Sequence, residues 1–227
     1  MADFTVEFGK TGKPAEPDGR LDGRAFHRNR EPIWSAIGGY MQTITGDVLE
    51  LGSGTGQHAA DYARRVPNIV WWPSDIMPSH LASIAAWREH SRLENLRAPQ
   101  RIDLTDPDWT WTNDSGTSQP LAAMFCGNVL HISPWTVSLN LIAGAGRLLR
   151  PGGRLFIYGP FKRDGAHTAQ SNAAFDASLR EENPAWGVRD VSDIAALAAD
   201  AGLNGPEIMP MPANNLVLAF AQPLRQN

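Results

Sequence analysis

The feature that most restricts what this chain can fold into is three glycines within five residues, Gly52-Ser53-Gly54-Thr55-Gly56. They follow directly on the short apolar stretch Asp47-Val48-Leu49-Glu50-Leu51. Beyond them a helical stretch runs through Ala59, Ala60, Tyr62 and Ala63. The order strand, glycine turn, helix brings a strand's carboxyl end and a helix's free N–H groups to one point. The positive end of the helix dipole lies there, and the missing side chains let a ligand approach closely. Spacing then separates the ligands such a turn can take. A dinucleotide fingerprint needs glycine at the first, third and sixth positions, which here are Gly52, Gly54 and Gln57, so the sixth fails. No Gly-Lys-Ser/Thr closes the turn, which argues against a triphosphate-binding loop.

The alternation continues along the chain. Strands are expected at 69–72, 101–104, 121–126 and 154–158, with helices at 79–92, 134–149 and 191–201. A further helix opens at Pro32, where a missing N–H costs nothing, and carries Ile33, Ile37, Tyr40, Met41 and Ile44. Strands separated by helices of this length pair in parallel through right-handed crossovers. The expected fold is therefore α/β, a doubly wound, Rossmann-like seven-stranded sheet. Segments 207–211 and 215–220, parted by Pro212 and two asparagines, read as a closing antiparallel hairpin. Residues 9 to 30 carry Gly9, Gly12, Pro14, Pro17, Gly19 and Gly23 with no apolar period. They imply an irregular lead-in over 1–28, ordered over a ligand, before one domain over 29–227. The stretch 160–188 is too long for an ordinary connection and reads as a substrate-side insertion or lid.

With 42% hydrophobic and 19% charged residues, the 227-residue chain has the composition of a globular protein. Its 20 Lys and Arg against 24 Asp and Glu give a net charge of −4, which disfavours a nucleic acid partner. The single cysteine, Cys126, cannot form an internal disulfide, and the N-terminus lacks the apolar run of a signal or membrane segment. No membrane partner and a cytoplasmic location are expected, and a homodimer is compatible with the sequence.

Asp75 ends the second expected strand, in Trp72-Pro73-Ser74-Asp75, where a carboxylate can accept both hydroxyls of a ribose; it could equally start a turn or cap the helix before Pro78. His131, in Asn128-Val129-Leu130-His131-Ile132-Ser133-Pro134-Trp135 after the fourth strand, faces the crevice where doubly wound folds do chemistry. It is the leading candidate for a general base, against the alternative that it bonds its own loop and caps the helix at Pro134. Tyr158, at the end of the fifth strand, either orients a substrate or simply packs.

The Glu-x-Gly-x-Gly-x-Gly form of Glu50, Gly52, Gly54 and Gly56 resembles the first motif of class I S-adenosylmethionine (SAM)-dependent methyltransferases. The dispersed segments Asn29-Arg30-Glu31-Pro32-Ile33, Gln57-His58, Pro73-Ser74-Asp75, Asn128, His131 to Trp135, Tyr158-Gly159-Pro160-Phe161, Ser171-Asn172, Phe175-Asp176, Trp186-Gly187, Arg189-Asp190 and Pro212-Ala213-Asn214-Asn215-Leu216 sharpen the likeness. Together they resemble the small methyltransferase-like family catalogued as domain of unknown function 938. The resemblance implies SAM as cofactor. Glu50, Gly52, Ser53, Gly54 and Gly56 would pass its methionine part, His58, which ranks second to His131 as a base, and Asn128 would also contact it, and Asp103 with Leu104 would meet its adenine. Asn29 and Arg30 would pair with its carboxylate, or else cap a helix and sit on the surface.

Methyl transfer from a sulfonium is an in-line displacement, so the protein aligns a nucleophile and removes its proton. After the fourth strand, Ile132-Ser133-Pro134-Trp135 matches only half of the Asn/Asp/Ser-Pro-Pro-aromatic pattern of nucleic-acid and protein amino-methyltransferases, which points to a small-molecule acceptor with an oxygen or nitrogen nucleophile. Asn128 has no acidic neighbour, so no metal is expected. Two rivals stay open: a protein that keeps a SAM pocket for regulation or assembly, and, further off, a nicotinamide-dependent oxidoreductase.

Overall fold

A computed structural model describes residues 16–224. Of the lead-in, Gly9, Gly12 and Pro14 lie outside the described residues. Six parallel or antiparallel pairings build the main sheet. The first strand, β1 (Gly46–Leu51), is flanked by β2 (Ile69–Asp75) on one side and β4 (Leu121–Gly127) on the other, all parallel. Outward from β2 lies the short β3 (Gln100–Arg101), and outward from β4 the long β5 (Leu149–Arg163). The antiparallel hairpin of β8 (Asn204–Pro210) and β9 (Asn215–Ala221) closes the sheet against β5. The path is β3-β2-β1-β4-β5-β9-β8, so the expected doubly wound sheet with a closing hairpin is present. Two more short strands, β6 (Ala166–His167) and β7 (Arg189–Asp190), pair with β5, making nine strands where seven were expected. They arise because β5 does not stop at Tyr158 but runs on to Arg163 and offers new edges.

Buried residues alternate across the sheet. Leu49, Leu51, Met124 and Cys126 meet α4 (Trp135–Leu148) and α6 (Val191–Asp200) on one face. Val48, Trp71, Ala123 and Phe125 meet α1 (Arg24–Met41) and α2 (Gln57–Arg65) on the other. Between β2 and β3 stands α3 (Pro78–Ser91). The strand order reverses between β1 and β4, and a crevice opens at such a switch point, outside the strands' carboxyl ends.

Three expectations need correction. Helix α1 starts at Arg24, not at Pro32, and Pro32 lies inside it. The apolar face already begins at Phe26 and continues through Ile33, Ile37 and Met41, and its burial outweighs the one hydrogen bond that a proline withholds. Ahead of α1 the described part of the lead-in is tied to the body: Ser83 Oγ accepts from Leu21 N–H, Gln57 Oε1 accepts from Gly23 N–H and the Trp87 indole donates to the Leu21 carbonyl. The third expected strand keeps only Gln100 and Arg101. Asp103 accepts the N–H and hydroxyl of Thr105 through one oxygen, and this local turn replaces further ladder pairing. Residues 160–188 are built structure: the end of β5, β6, and α5 (Gln170–Glu182), with a small core of Leu179, Trp186 and Val188.

Candidate functional site

The glycine turn leaves β1 at the reversal of strand order. Gly52, Gly54 and Gly56 all take positive φ, and at Gly56 a Cβ would stand 2.8 Å from the Ile84 Cα of α3. The turn is therefore closed to any side chain at that position. Gln57, the residue that breaks the dinucleotide spacing, has a structural task. Its Oε1 accepts from Gly23 N–H and from the Thr55 hydroxyl while its Nε2 donates to Asp22, which clamps the start of α1 over the turn. Ser53 fastens the turn to β2: its N–H donates to the Ser74 carbonyl at 2.8 Å, and its hydroxyl accepts from Ser74 N–H at 3.2 Å.

Asp75 is buried at the end of β2. One oxygen accepts from Gly54 N–H at 2.8 Å; the other accepts from Met77 N–H at 2.9 Å and faces His80 Nδ1 at 3.1 Å. It thus serves both the turn and the entry to α3. It also borders a cavity of about 110 Å³ whose walls include Ile102, Leu104 and Val137. Asp103 and Leu104 lie on that cavity as well, beyond the end of β3.

A second cavity, about 60 Å³, continues over the glycines and holds Glu50, His58, Phe125 and Tyr158. The Glu50 carboxyl is 2% exposed and accepts from the Trp71 indole at 2.7 Å. Burial pushes it up to about 8, offset in part by the Trp71 hydrogen bond and reinforced by the charge of Asp75. Burial likewise drives His58 down to about 4. Its Nε2 lies 2.9 Å from Asn29 Oδ1, which can only accept, so Nε2 carries the hydrogen.

The third cavity, about 540 Å³, is the widest and lies outside the other two, between α1, α5 and the β8–β9 turn. Tyr158 and His131 both border it. The Tyr158 oxygen accepts from Asn215 Nδ2 at 3.1 Å and is also hydrogen-bonded by Asn29. Burial raises the Tyr158 phenol despite those two amides and the nearby Arg28 charge, so the group is a donor rather than a base. His131 is buried in the turn Leu130–Ile132 and meets Phe175 edge-on, with ring centroids 5.6 Å apart. Burial, with the Arg189 guanidinium adding to it, lowers His131 to about 4. Helix α4 begins at Trp135, with Pro134 at its N-cap and no side-chain cap, so His131 does not cap it.

One residue borders all three cavities: Asn128, in a left-handed backbone conformation at φ 59°. Of the sequence candidates, Asn29, Glu50, Gly52, Ser53, Gly54, His58, Asp75, Asp103, Leu104, Asn128, His131 and Tyr158 border one or more of these cavities. Gly56 shapes the turn from behind. Arg30 is not brought in. Its guanidinium lies over the Phe26 ring at 5.2 Å and 3.7 Å from the Glu31 carboxylate, and it borders none of the three cavities. Sequence reasoning passed over Arg28, Phe175 as a wall and Asn215 as the Tyr158 partner. The last two sit inside quoted family segments, but no spacing marks them, because their elements meet the strand ends only in three dimensions. Among the described residues, no group of three or more His, Cys, Asp or Glu could hold a metal ion. No helix among them is long and apolar enough to cross a membrane.

The model of the family described as protein of unknown function (DUF938) matches residues 22–222. The chain belongs to this family. Among solved structures it is similar to the SAM-dependent methyltransferase SibL in its apo form, at 18% identity and a TM-score of 0.69 over 88% of this chain and 56% of that one. It is similar also to an O-methyltransferase family protein from Burkholderia thailandensis, at 18% identity and 0.65 over 89% of this chain and 60% of that one. A candidate sarcosine dimethylglycine methyltransferase from Galdieria sulphuraria matches at 16% identity and 0.65, over 93% and 92% of the two chains. This chain spans little more than half the length of the first two. At such identities the likeness shows the fold, and the fold is that of these methyltransferases.

Proposed function

We propose that the chain is a SAM-dependent methyltransferase acting on a small-molecule acceptor through an oxygen or nitrogen nucleophile. The observation that carries this reading is the pair of cavities over the glycine turn and the wider one outside them, all bordered by Asn128. The residues fit the cofactor. Asp75 offers a buried carboxylate to ribose hydroxyls beside the apolar slot of Ile102, Leu104 and Val137. Glu50 is a buried carboxyl that only a neighbouring cation can hold ionised at neutral pH, and both the ammonium and the sulfonium of SAM are cations.

When bound, SAM supplies an electrophilic methyl carbon. The chain's own part is then alignment and exclusion of water. Asn128 and Tyr158 border both the inner and the outer cavity, so they flank the passage between cofactor and acceptor. The Tyr158 hydroxyl donates to the acceptor, and His131, neutral near pH 7, takes the proton that the nucleophile gives up. A histidine held near 4 is a weak base, which favours acceptors that are amines or acidic hydroxyls. The same weakness favours a second reading, a SAM-binding protein with no methyl transfer. Calorimetric titration with S-adenosylhomocysteine, SAM and NAD tests the first proposal. Binding of the two sulfur ligands, lost in Asp75→Asn, is expected; binding of NAD alone would overturn it. Turnover of SAM with a metabolite library separates the two readings.

A further inference from the structure

The outer cavity is the part of the site that would choose the acceptor. Among the described residues it is bordered by one charged side chain, Arg28, and by no carboxylate. That is notable in a chain with a net charge of −4. Arg28 stands exposed on α1, with neither a hydrogen bond nor an ion pair among the described residues. Its neighbours are engaged elsewhere: His27 with Asp22, and Arg30 with Glu31 and Phe26. Arg28 borders the outer cavity and not the inner one, whereas Asn128 and Tyr158 border both. The cation thus marks the mouth and the Asn128–Tyr158 pair the floor. Between them the wall is apolar at Ile132, Pro160, Pro212 and Phe175, the last 40% exposed at the rim and edge-on against His131, and amide at Asn172 and Asn215, whose nitrogens already donate to Asn214 and Tyr158.

We infer that the acceptor is a small carboxylic acid with a flat apolar body, its carboxylate held by Arg28 at the mouth and its hydroxyl or amine directed to Tyr158 and Asn128 at the floor. Guanidinium is the side chain best matched to a carboxylate, because its planar donors can grip both oxygens. A cationic acceptor would meet Arg28 with no compensating acid in the cavity wall. An uncharged one would leave the guanidinium without use. The inference rests on the methyltransferase reading for its orientation, and on Arg28 and the cavity for its charge.

The test uses the full chain, with and without S-adenosylhomocysteine, and matched probes: hydroxybenzoic and hydroxyphenylacetic acids against their carboxamides, followed by ligand-observed NMR. The acids are expected to bind about tenfold more tightly than the amides. Arg28→Gln should erase that preference, and Arg28→Lys should keep most of it. Because Arg28 is exposed, both variants should melt like the parent. Equal binding of acids and amides, no acid binding, or a preference that survives Arg28→Gln overturns the inference. So does an Arg28→Gln variant that instead loses about tenfold in S-adenosylhomocysteine affinity, since the cation then serves the cofactor's own carboxylate. If S-adenosylhomocysteine fails to bind the parent chain, the cofactor reading falls. An Arg28-dependent preference for acids measured without it would still support the charge of the acceptor.

Discussion

At the scale of single residues, the site is governed by how burial sets proton affinity. Glu50, His58 and His131 are ordinary titratable groups in the sequence, and depth moves the first up to about 8 and the histidines down to about 4. For Glu50 the sign is fixed. Below its ordinary value near 4.5 both folded and unfolded carboxyls are protonated; between there and about 8 only the unfolded one ionises, so stability falls as pH rises through that window. Glu50→Gln removes the penalty, and its melting temperature should exceed that of the parent by more at pH 8 than at pH 5. A cationic ligand should reverse the effect by ionising Glu50, releasing up to about one proton on SAM binding at pH 7. Calorimetry in buffers of different ionisation enthalpy measures this, and an enthalpy independent of buffer would contradict it. Nothing in the spacing of Glu50 announced its depth. The glycines two residues on were legible because turn geometry is local, while the Trp71 indole and Asp75 reach Glu50 from another strand.

At the scale of elements, segment 160–188 departs furthest from its sequence reading. Its polar composition suggested a lid, but Asp176 on α5 pins it at several points. One oxygen accepts from Val188 N–H at 2.7 Å and from Arg180; the other lies 3.0 Å from Lys162 Nζ and 3.2 Å from His167 Nε2. Burial alone would raise Asp176, but the Val188 N–H, Lys162 and Arg180 together hold it below the usual aspartate value. Its contribution to stability is therefore complete above the unfolded value and lost as pH falls through the folded one. Asp176→Asn leaves the partly exposed Lys162 and Arg180 without their counter-charge and should cost about 1 kcal/mol by chemical denaturation. Cleavage within 160–190 by a dilute protease should rise in step, and an unchanged digestion pattern would show that the hub does not hold the segment. Helix α1 teaches a related lesson. Pro32 looked like a helix start because proline suits a first turn, yet the apolar face from Phe26 onward carried the helix through it.

At the scale of the whole molecule, the sheet joins both hydrophobic clusters and the site straddles its reversal point, so a ligand there should stabilise the entire domain. At one hundred times its dissociation constant, S-adenosylhomocysteine should add about 2.7 kcal/mol and raise the melting temperature by roughly 5–10 °C. Thermal unfolding of the parent and of Asp75→Asn measures this, and no shift in the parent would count against a site at the crevice. The sequence by itself determined the alternation of strands and helices, the glycine turn that departs from the dinucleotide spacing, and the carboxylate at the end of β2, because periodicity, turn chemistry and glycine spacing act over a few residues. Only the tertiary structure decided that Arg28 rather than Arg30 borders the outer cavity, that Asn29 and Asn215 close on Tyr158 from opposite ends of the chain, and that both site histidines are neutral. Those outcomes depend on how deeply a group is buried and on what distant segments bring beside it.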